Sequence, residues 1–455
     1  MNAPLPMHAP TAENERLARD AAALALQRRR DTPPLNGPMP LDALLPALSE
    51  AITPRGLGGD AALALFKELI APASISNDHP GFLAFIPHAP TEAAIAADGL
   101  LSAFPTFTGA WNDGAGLIAA ENAALRWLAD IAGLPASAGG CFVPGATVGT
   151  LSALHAARHA TGERRGGRPA GGWALIASRE AHASVAAAAR VMDVELIEVD
   201  GDERFCLTGA ALSEALARAG ERVFAVVASA GATNLGVIDD LSEIGAACAA
   251  AGVWLHVDAA YGGGALASPM ARRRLAGIEQ ADSLVIDPHK WLFAPYDSCA
   301  LLFRDPGLAA PALAQRAEYI DPAHSDSAWN PFSYGIHLSR RARGFPLWFS
   351  LATYGTEAYA RAIDDALALT ARLADWIRDE PTLELAAEPM LSVLVFFRRG
   401  WSAADYDQWS KRMLQEGRAW MAPTSLQGRP AMRLCILNPR ASFEQVRAIL
   451  LSLRG

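Results

Sequence analysis

Two short apolar stretches in the middle of the chain each run directly into polar residues. Residues 253–257 (VWLHV) are followed by Asp258, and residues 283–286 (SLVI) are followed by the tetrapeptide DPHK at 287–290. Their length and apolar content are typical of buried strands. Strand patterns alternate with helical patterns from about residue 140 to residue 305, which predicts an α/β fold with a mostly parallel sheet and helices on both faces. Because the carboxyl ends of parallel strands face one crevice, we expect the two polar clusters to meet there.

Lys290, in the second cluster, is an unusual residue for this chain. The sequence has three lysines (Lys67, Lys290 and Lys411) against thirty-six arginines, so arginine normally supplies its solvated positive charge. Lys290 lies between His289 and Trp291, in an apolar setting where an amine can lose its proton and attack a carbonyl. A guanidinium does not do this. Taken alone, a single lysine is more often a solvated charge.

Asp258 supplies a complementary group. A carboxylate buried at a strand end can hold the proton of a pyridinium nitrogen, which makes the ring an electron sink. By itself, an aspartate after a strand is more often a turn or capping residue. A nucleophilic lysine together with such a carboxylate is the combination that pyridoxal 5′-phosphate requires, and we predict that this cofactor binds here.

The residues around these positions also resemble a known family. HVDAAYGG at 256–263, followed by DPHKW at 287–291, closely resembles the group II pyridoxal-phosphate decarboxylases, which include aromatic-L-amino-acid, tyrosine, histidine and glutamate decarboxylases. Five motifs in family order extend the resemblance over residues 75 to 450. It implies the fold-type I pyridoxal-phosphate transferase fold, with an N-terminal helical segment and a small C-terminal α+β domain. It also implies that Lys290 binds the cofactor and that Asp258 faces its ring nitrogen.

A turn of small residues, PGAT at 144–147, joins a predicted strand to a predicted helix. Backbone N–H groups in such a turn can approach a phosphate beside the positive end of the helix. Alone this is a weak signal, because other tight turns look similar. The family binds phosphate at the corresponding turn, which implies Ala146 and Thr147 as phosphate contacts. The resemblance also implies three further cofactor contacts, Thr233, Ala260 and His289.

Two further residues are implied as catalytic groups. His182, in EAHASV, matches the family motif that lays an imidazole on the cofactor ring, although a lone histidine after a strand is more often a polar turn residue. Tyr319, in AEYIDP, matches the loop whose tyrosine delivers a proton to the decarboxylated carbon. Relatives with phenylalanine there tend to form aldehydes, so Tyr319 favours simple decarboxylation. The alternative for Tyr319 is an ordinary surface-loop position.

Asp287 departs from the family pattern. Members that act on aromatic acids usually carry asparagine three residues before the lysine, and this chain has aspartate. A carboxylate is unfavourable beside a phosphate unless it points away or binds another group. The phosphate-binding role of this position is therefore left open.

The segment from residue 75 to 116 is dense in aromatic residues, and no lysine or arginine occurs between positions 68 and 125. HPGFLAFIP at 79–87 resembles the family loop that helps to form the pocket for the substrate side chain. Without a cation for a side-chain carboxylate, this stretch favours aromatic or apolar amino acids over acidic ones, with a cation from elsewhere, such as Arg316, as the alternative. The predicted pocket residues are Phe85, Ile86, Pro87, Phe107 and Trp111.

The length of 455 residues indicates two or three domains. We expect an N-terminal helical segment at 1–75, a large cofactor-binding domain at 76–345 and a small domain at 346–455. The N-terminal helices lack the apolar surface for a core of their own. They therefore pack on a second subunit, as the resemblance implies for a homodimer, or they cap their own chain.

Composition excludes several other classes. A net charge of −9 and a pI near 5.6 argue against nucleic acid or anionic membrane as partners. Five scattered cysteines without metal-ligand spacing predict buried thiols in a reducing compartment and no metal site. The N-terminus has no signal-peptide pattern and no run of eighteen residues is apolar throughout, so we expect a cytoplasmic location.

The sequence therefore predicts a pyridoxal-phosphate-dependent carboxy-lyase that releases CO₂ from an L-amino acid and yields the amine. Other reactions of the same cofactor are alternatives: oxidative deamination to an aldehyde, transamination and retro-aldol cleavage. A catalytically silent homologue is a further alternative, against which the intact Lys290, Asp258 and His182 argue. A dinucleotide-binding module is disfavoured because no GxGxxG turn follows a predicted strand.

Overall fold

The computed structural model describes residues 6–316, 318 and 329–454. Tyr319, the expected proton donor, lies outside the described residues. Within the described part of the chain, no helix combines the length and the apolar character that crossing a membrane requires.

Seven strands form the central sheet. In chain order they are Gly139–Val143 (β1), Ala174–Ser178 (β2), Glu195–Val199 (β3), Val223–Ser229 (β4), Trp254–Asp258 (β5), Ser283–Ile286 (β6) and Cys299–Phe303 (β7). Their order across the sheet is β1-β7-β6-β5-β4-β2-β3. The pairs from β3 to β6 are all parallel, whereas β7 runs antiparallel to both β6 and β1. The predicted α/β class with a mostly parallel sheet is confirmed.

Helices cover both faces of this sheet. They are Glu92–Ala103 (α4), Trp111–Ile131 (α5), Ala146–Arg165 (α6), Ala183–Met192 (α7), Gly209–Ala219 (α8), Leu241–Ala251 (α9) and Pro306–Leu313 (α10). Alternate residues of β2 belong to two separate cores: Ile176 packs in the core that includes α5, α8 and α9, while Leu175 packs in the core that includes α6, α7 and α10. Burial on both faces explains why the strand sequences are apolar runs rather than alternating patterns.

A second, smaller sheet follows near the C-terminus. Its strands are Leu383–Leu385 (β8), Val393–Arg398 (β9), Pro423–Leu426 (β10) and Arg429–Cys435 (β11), in the antiparallel order β10-β11-β9-β8. The helices of this part are Phe345–Tyr354 (α11), Thr356–Asp379 (α12), Ala403–Gln415 (α13) and Phe443–Leu451 (α14). The sequence pattern of residues 348–378 predicts one helix, whereas the structure has two, α11 and α12. Gly355 has a φ of 74° between α11 and α12, and this left-handed conformation ends the first helix.

The N-terminal helices are Ala12–Arg30 (α1), Leu41–Glu50 (α2) and Gly59–Leu65 (α3), the last extended by a π-helical turn at Phe66–Ile70. None of them contains a buried residue. Large apolar side chains stay exposed, including Leu41 at 71% and Ile52 at 87%. This segment has no core of its own in the single chain.

A buried ion pair connects α5 to the segment that leads into α11. Arg340 Nη2 donates to Glu121 Oε1 of α5 at 2.7 Å, and the two side chains are 0% and 2% exposed. Arg340 Nη1 also donates to the carbonyl oxygen of Thr108 at 2.6 Å, and the backbone N–H of Gly344 donates to Glu121 Oε1 at 2.8 Å. The pair therefore fixes the entry to α11 against α5.

We expect Arg340→Met to destabilise the protein by about 3–5 kcal/mol, because it leaves the Glu121 carboxylate buried without its cation. Adding Glu121→Leu to Arg340→Met removes that carboxylate and recovers part of the loss. The matched control is Arg361→Met. Arg361 pairs with Glu357 on the exposed face of α12, where the two side chains are 70% and 93% exposed, so its loss changes stability by less than about 1 kcal/mol. Thermal unfolding midpoints of the four proteins, measured at one protein concentration, test this ranking.

Candidate active site

A cavity of about 210 Å³ lies at the carboxyl ends of β4, β5 and β6, beside the start of α6. Parallel pairing sets this arrangement: Ser229 at the end of β4 is paired with Asp258 at the end of β5, and Asp258 is paired with Val285 of β6. The polar residues that follow each strand therefore reach the same crevice, as the sequence predicted. All eight residues expected to contact the cofactor line this cavity: Ala146, Thr147, His182, Thr233, Asp258, Ala260, His289 and Lys290.

Lys290 is paired with a carboxylate inside the cavity. Its Nζ lies 2.9 Å from Asp287 Oδ2, and the Asp287 side chain is 3% exposed. Burial lowers the pKa of Lys290, but the charges of Asp287 and Asp258 outweigh burial and raise that pKa above its ordinary value. In the protein alone these charges favour the ammonium form of Lys290, whereas the sequence predicted an apolar setting that favours the neutral amine. Asp287, three residues earlier in the chain, and Asp258, at the end of β5, both act on it.

Asp258 is held in the cavity by its own chain. Its Oδ1 accepts a hydrogen bond from the backbone N–H of Ala260 at 3.1 Å. Burial raises the pKa of Asp258, and the nearby Lys290 ammonium partly offsets this. A protonated ring nitrogen beside this carboxylate would add a second favourable charge and keep it ionised.

His256 anchors β5 beneath the site. Its Nε2 lies 3.2 Å from Thr150 Oγ1 of α6, and its Nδ1 lies 2.9 Å from Ser283 Oγ of β6. Burial lowers the pKa of His256 to about 3, so the ring is neutral at physiological pH. These hydrogen bonds between uncharged groups connect β5 to α6 and to β6, two residues before Asp258.

The start of α6 forms one end of the cavity. Gly145 precedes the helix, and its carbonyl oxygen accepts the N–H groups of Val148 and Gly149, both at 3.0 Å. The N–H groups of Ala146 and Thr147 come before the first intrahelical bonds, where helix N–H groups have no backbone partner within the helix. They are suited to an anionic group, which the helix dipole also favours.

His182 caps the start of α7. The backbone N–H of Ser184 donates to His182 Nδ1 at 3.2 Å, and Ser184 Oγ lies 2.8 Å from the same nitrogen. Because Nδ1 accepts from the backbone N–H, the neutral ring carries its proton on Nε2. Capping fixes the ring orientation at the cavity wall, which is what the predicted role of His182 requires.

The five residues predicted for the substrate pocket do not line this cavity. Ile86 and Pro87 are buried, whereas Phe85 is 55% exposed and packs edge-on against Trp420 at 5.2 Å. Phe107 and Trp111 are partly exposed. Phe85 is nevertheless linked to the cavity, because its carbonyl oxygen accepts from the same guanidinium that holds Thr233. The substrate-side assignments stay predictions.

That guanidinium belongs to Arg433, which the sequence reasoning missed. Arg433 on β11 is 5% exposed and donates to the carbonyl oxygens of Phe85, Thr233 and Asn234. No carboxylate pairs with it among the described residues, and burial lowers its pKa. The available signal was an arginine inside the apolar run AMRLC, since unpaired buried charges are rare outside functional sites.

Ser229, Tyr261 and Asp287 also line the cavity and were not predicted as cofactor contacts. The Tyr261 hydroxyl lies 2.6 Å from Ser392 Oγ and accepts the Ser392 N–H at 2.8 Å. Through this contact, the wall of the cavity is joined to the segment that leads into β9.

The donor set of the cavity fits pyridoxal 5′-phosphate. A primary amine (Lys290), a carboxylate at the end of a strand (Asp258) and the start of a helix (Ala146 and Thr147) border the same space. These groups match the aldehyde, the ring nitrogen and the phosphate of that cofactor, respectively. No cluster of His, Cys, Asp and Glu suited to a metal ion occurs in the described ranges.

Comparison with known proteins agrees with this chemistry. The conserved domain of pyridoxal-dependent decarboxylases matches residues 59–399. The chain is 30% identical over 437 residues to an aromatic-L-amino-acid decarboxylase of Bacillus atrophaeus, covering 93% of this chain and 90% of the relative. It is 35% identical over 410 residues to an L-2,4-diaminobutyrate decarboxylase of Rhizobium meliloti (strain 1021), covering 87% of this chain and 81% of the relative.

Solved structures show the same fold. The crystal structure of Oryza sativa TDC with PLP and tryptamine superimposes with a TM-score of 0.90 and 24% identity, covering 99% of this chain and 98% of that chain. Mouse CSAD superimposes with a TM-score of 0.86 and 23% identity, covering 98% and 99% of the two chains. Fold, cofactor site and sequence similarity thus agree, and the chain belongs to the pyridoxal-dependent decarboxylase family, whose members use pyridoxal 5′-phosphate to release CO₂ from amino acids.

Proposed function

We propose that the substrate of this decarboxylase is an L-amino acid with an aromatic or apolar side chain and that the product is the amine. The observation that carries this proposal is the convergence of Lys290, Asp258 and the start of α6 on one cavity. The substrate class rests on the aromatic segment at residues 75–116, which supplies no cation for a side-chain carboxylate.

Each residue of the cavity has a separate task in this proposal. Lys290 holds the cofactor, and the N–H groups of Ala146 and Thr147 hold its phosphate. When bound, the cofactor supplies an electron sink for the electrons left by CO₂, and Asp258 keeps its ring nitrogen protonated. His182 is oriented by its hydrogen bond with the Ser184 N–H at the start of α7 and lines the cavity with its Nε2–H.

Arg433 is the candidate for binding the α-carboxylate of the substrate. It is a buried cation without a carboxylate partner among the described residues, and it is bonded to both the Phe85 carbonyl and the Thr233 carbonyl. A guanidinium retains five N–H donors, of which these backbone bonds use only part. This leaves donors for an anionic group at the boundary between the cofactor side and the substrate side.

The product analysis that tests this function uses the loaded enzyme and a pool of amino acids that includes DOPA and L-2,4-diaminobutyrate. We expect one amine to form, and we expect Lys290→Ala to abolish it because no other amine borders the cavity in the described part of the chain. Lys411→Ala is the matched control. Lys411 is 69% exposed and pairs with Asp407, so this variant retains full activity. Mass spectrometry of the products gives the readout.

Other products would assign another function. An aldehyde or a keto acid in place of the amine would move the protein to oxidative deamination or transamination on the same cofactor. Formation of 1,3-diaminopropane from L-2,4-diaminobutyrate would overturn the aromatic or apolar substrate class. A protein that binds the cofactor and turns over nothing in the pool would support a catalytically silent homologue.

We infer that the enzyme is a homodimer in which residues 1–75 pack on the partner subunit. The support is the absence of any buried residue in α1, α2 and α3, together with the exposed Leu41 and Ile52. Burying such apolar surface stabilises an interface by roughly 25 cal/mol per Å². We also place the enzyme in the cytoplasm, because all five cysteines are free and buried.

Light scattering coupled to size-exclusion chromatography tests the dimer. The wild-type protein should elute with twice the chain mass, and Leu41→Glu combined with Ile52→Glu should shift it towards the monomer by placing charges in the interface. Val191→Glu is the control, because Val191 is equally exposed at 71% but lies on α7. A wild-type monomer, or equal effects of both changes, would contradict the arrangement.

A further inference from the structure

Asp287 occupies a position that the local backbone fixes tightly. It follows β6 directly, its N–H donates to the carbonyl oxygen of Ala260 at 3.0 Å, and its own carbonyl oxygen accepts the N–H of Lys290 at 2.9 Å. This turn brings the side chains of Asp287 and Lys290 to the same side. The distance of 2.9 Å between Lys290 Nζ and Asp287 Oδ2 is therefore set by backbone geometry as well as by charge.

The charged partners of the Asp287 side chain are Lys290 and, at a longer distance, His289. Its Oδ2 meets Lys290 Nζ and lies 3.6 Å from His289 Nε2, while its Oδ1 meets no hydrogen-bond donor among the described residues. A carboxylate has no proton to donate to a phosphate oxygen and repels its charge, whereas an asparagine amide can donate. A buried carboxylate is retained where it faces a cation, and here that cation is Lys290.

Other titratable groups also face this pair. Asp258 at the end of β5 is the second anion near Lys290, and His182 on α7 lies near Asp258. The Cys299 thiol of β7 lies beside Asp287. Burial is the main cause that raises the pKa of Cys299, and the Asp287 carboxylate raises it further, so the thiol is neutral. The remaining titratable neighbours of Lys290 and Asp287 are His289, Tyr296 and Cys435.

We propose that Asp287 is a positioning residue that holds the Lys290 amine inside the cavity as an ammonium until the cofactor arrives. This rests on the role of Lys290 given under the proposed function. Asparagine at this position would keep the shape of the side chain but remove the charge. The amine would then be buried with Asp258 as its remaining anionic neighbour, and burial would favour its neutral form. The pH at which the amine becomes reactive therefore falls when Asp287 is replaced.

The chain offers a direct test because it has only three lysines. The full-length protein, prepared without cofactor, is treated with formaldehyde and cyanoborohydride at a series of pH values, and methylation of each lysine is followed by peptide mass spectrometry. Lys67 and Lys411 are internal standards, since neither lines the cavity. We expect Asp287→Asn to increase the initial labelling rate of Lys290 at pH 8 at least about tenfold, which corresponds to a pKa lower by one unit or more. The rates at Lys67 and Lys411 should not change.

Equal Lys290 profiles in wild-type protein and Asp287→Asn, with folding intact by circular dichroism, would overturn the proposal. If Asp287→Asn does not fold, a second comparison tests the proposal. It compares the thermal unfolding midpoint of Lys290→Met with that of the double variant Asp287→Asn, Lys290→Met. The double variant should be the more stable of the two, because it removes a buried carboxylate that has lost its cation. A less stable double variant would show that Asp287 acts on something other than the lysine.

This test is separate from the test of the proposed function. Labelling is measured without cofactor or substrate, so a protein that decarboxylates nothing can still show the shift. Conversely, the protein could decarboxylate its substrate while Asp287→Asn leaves the labelling of Lys290 unchanged. That result would support the proposed function and contradict the role given to Asp287.

Discussion

The site depends on one buried lysine between two carboxylates. The Lys290 ammonium faces Asp287 at 2.9 Å and has Asp258 as a second carboxylate nearby, so two acidic groups share one cation. A buried excess charge is costly unless a partner neutralises it. A cationic ring nitrogen at Asp258 would leave two matched pairs, ring with Asp258 and lysine with Asp287. In that arrangement each of the two carboxylates would face one cation.

Such a cluster is held by the sheet beneath it. Charged side chains in a low-dielectric crevice would relax towards water if their backbones were mobile, so their positions have to be fixed by the core. The parallel register of β4, β5 and β6 does this from one side, and the neutral bonds of His256 to Thr150 and Ser283 tie β5 to α6 and β6. Because His256 stays uncharged, it adds rigidity without changing the electrostatic balance above it.

The sequence predicted those parts of the fold that local patterns determine. Strand β6 has the expected bounds, and the convergence of both polar clusters follows from the geometry of parallel strands. The break at Gly355 was missed because the apolar spacing continues through it from α11 into α12. The effect of Asp258 on the pKa of Lys290 was not foreseen, because the two residues approach each other only in the folded chain. Arg433 was missed for the same reason, since the carbonyl groups that it binds are 200 and 348 residues away in sequence.

Arg433 also shows how the two sides of the site are joined. It bridges the Thr233 loop, which borders the cofactor cavity, and the Phe85 carbonyl, which belongs to the predicted substrate loop. Because one buried guanidinium bonds to both loops, a displacement of either loop breaks bonds that no water replaces easily in a buried setting. The loop at Phe85 and the loop at Thr233 are therefore mechanically connected through Arg433. A replacement of Phe85 that shifts its backbone would alter the cofactor side as well as the pocket, whereas one that changes the exposed ring alone would leave the Arg433 bridge intact.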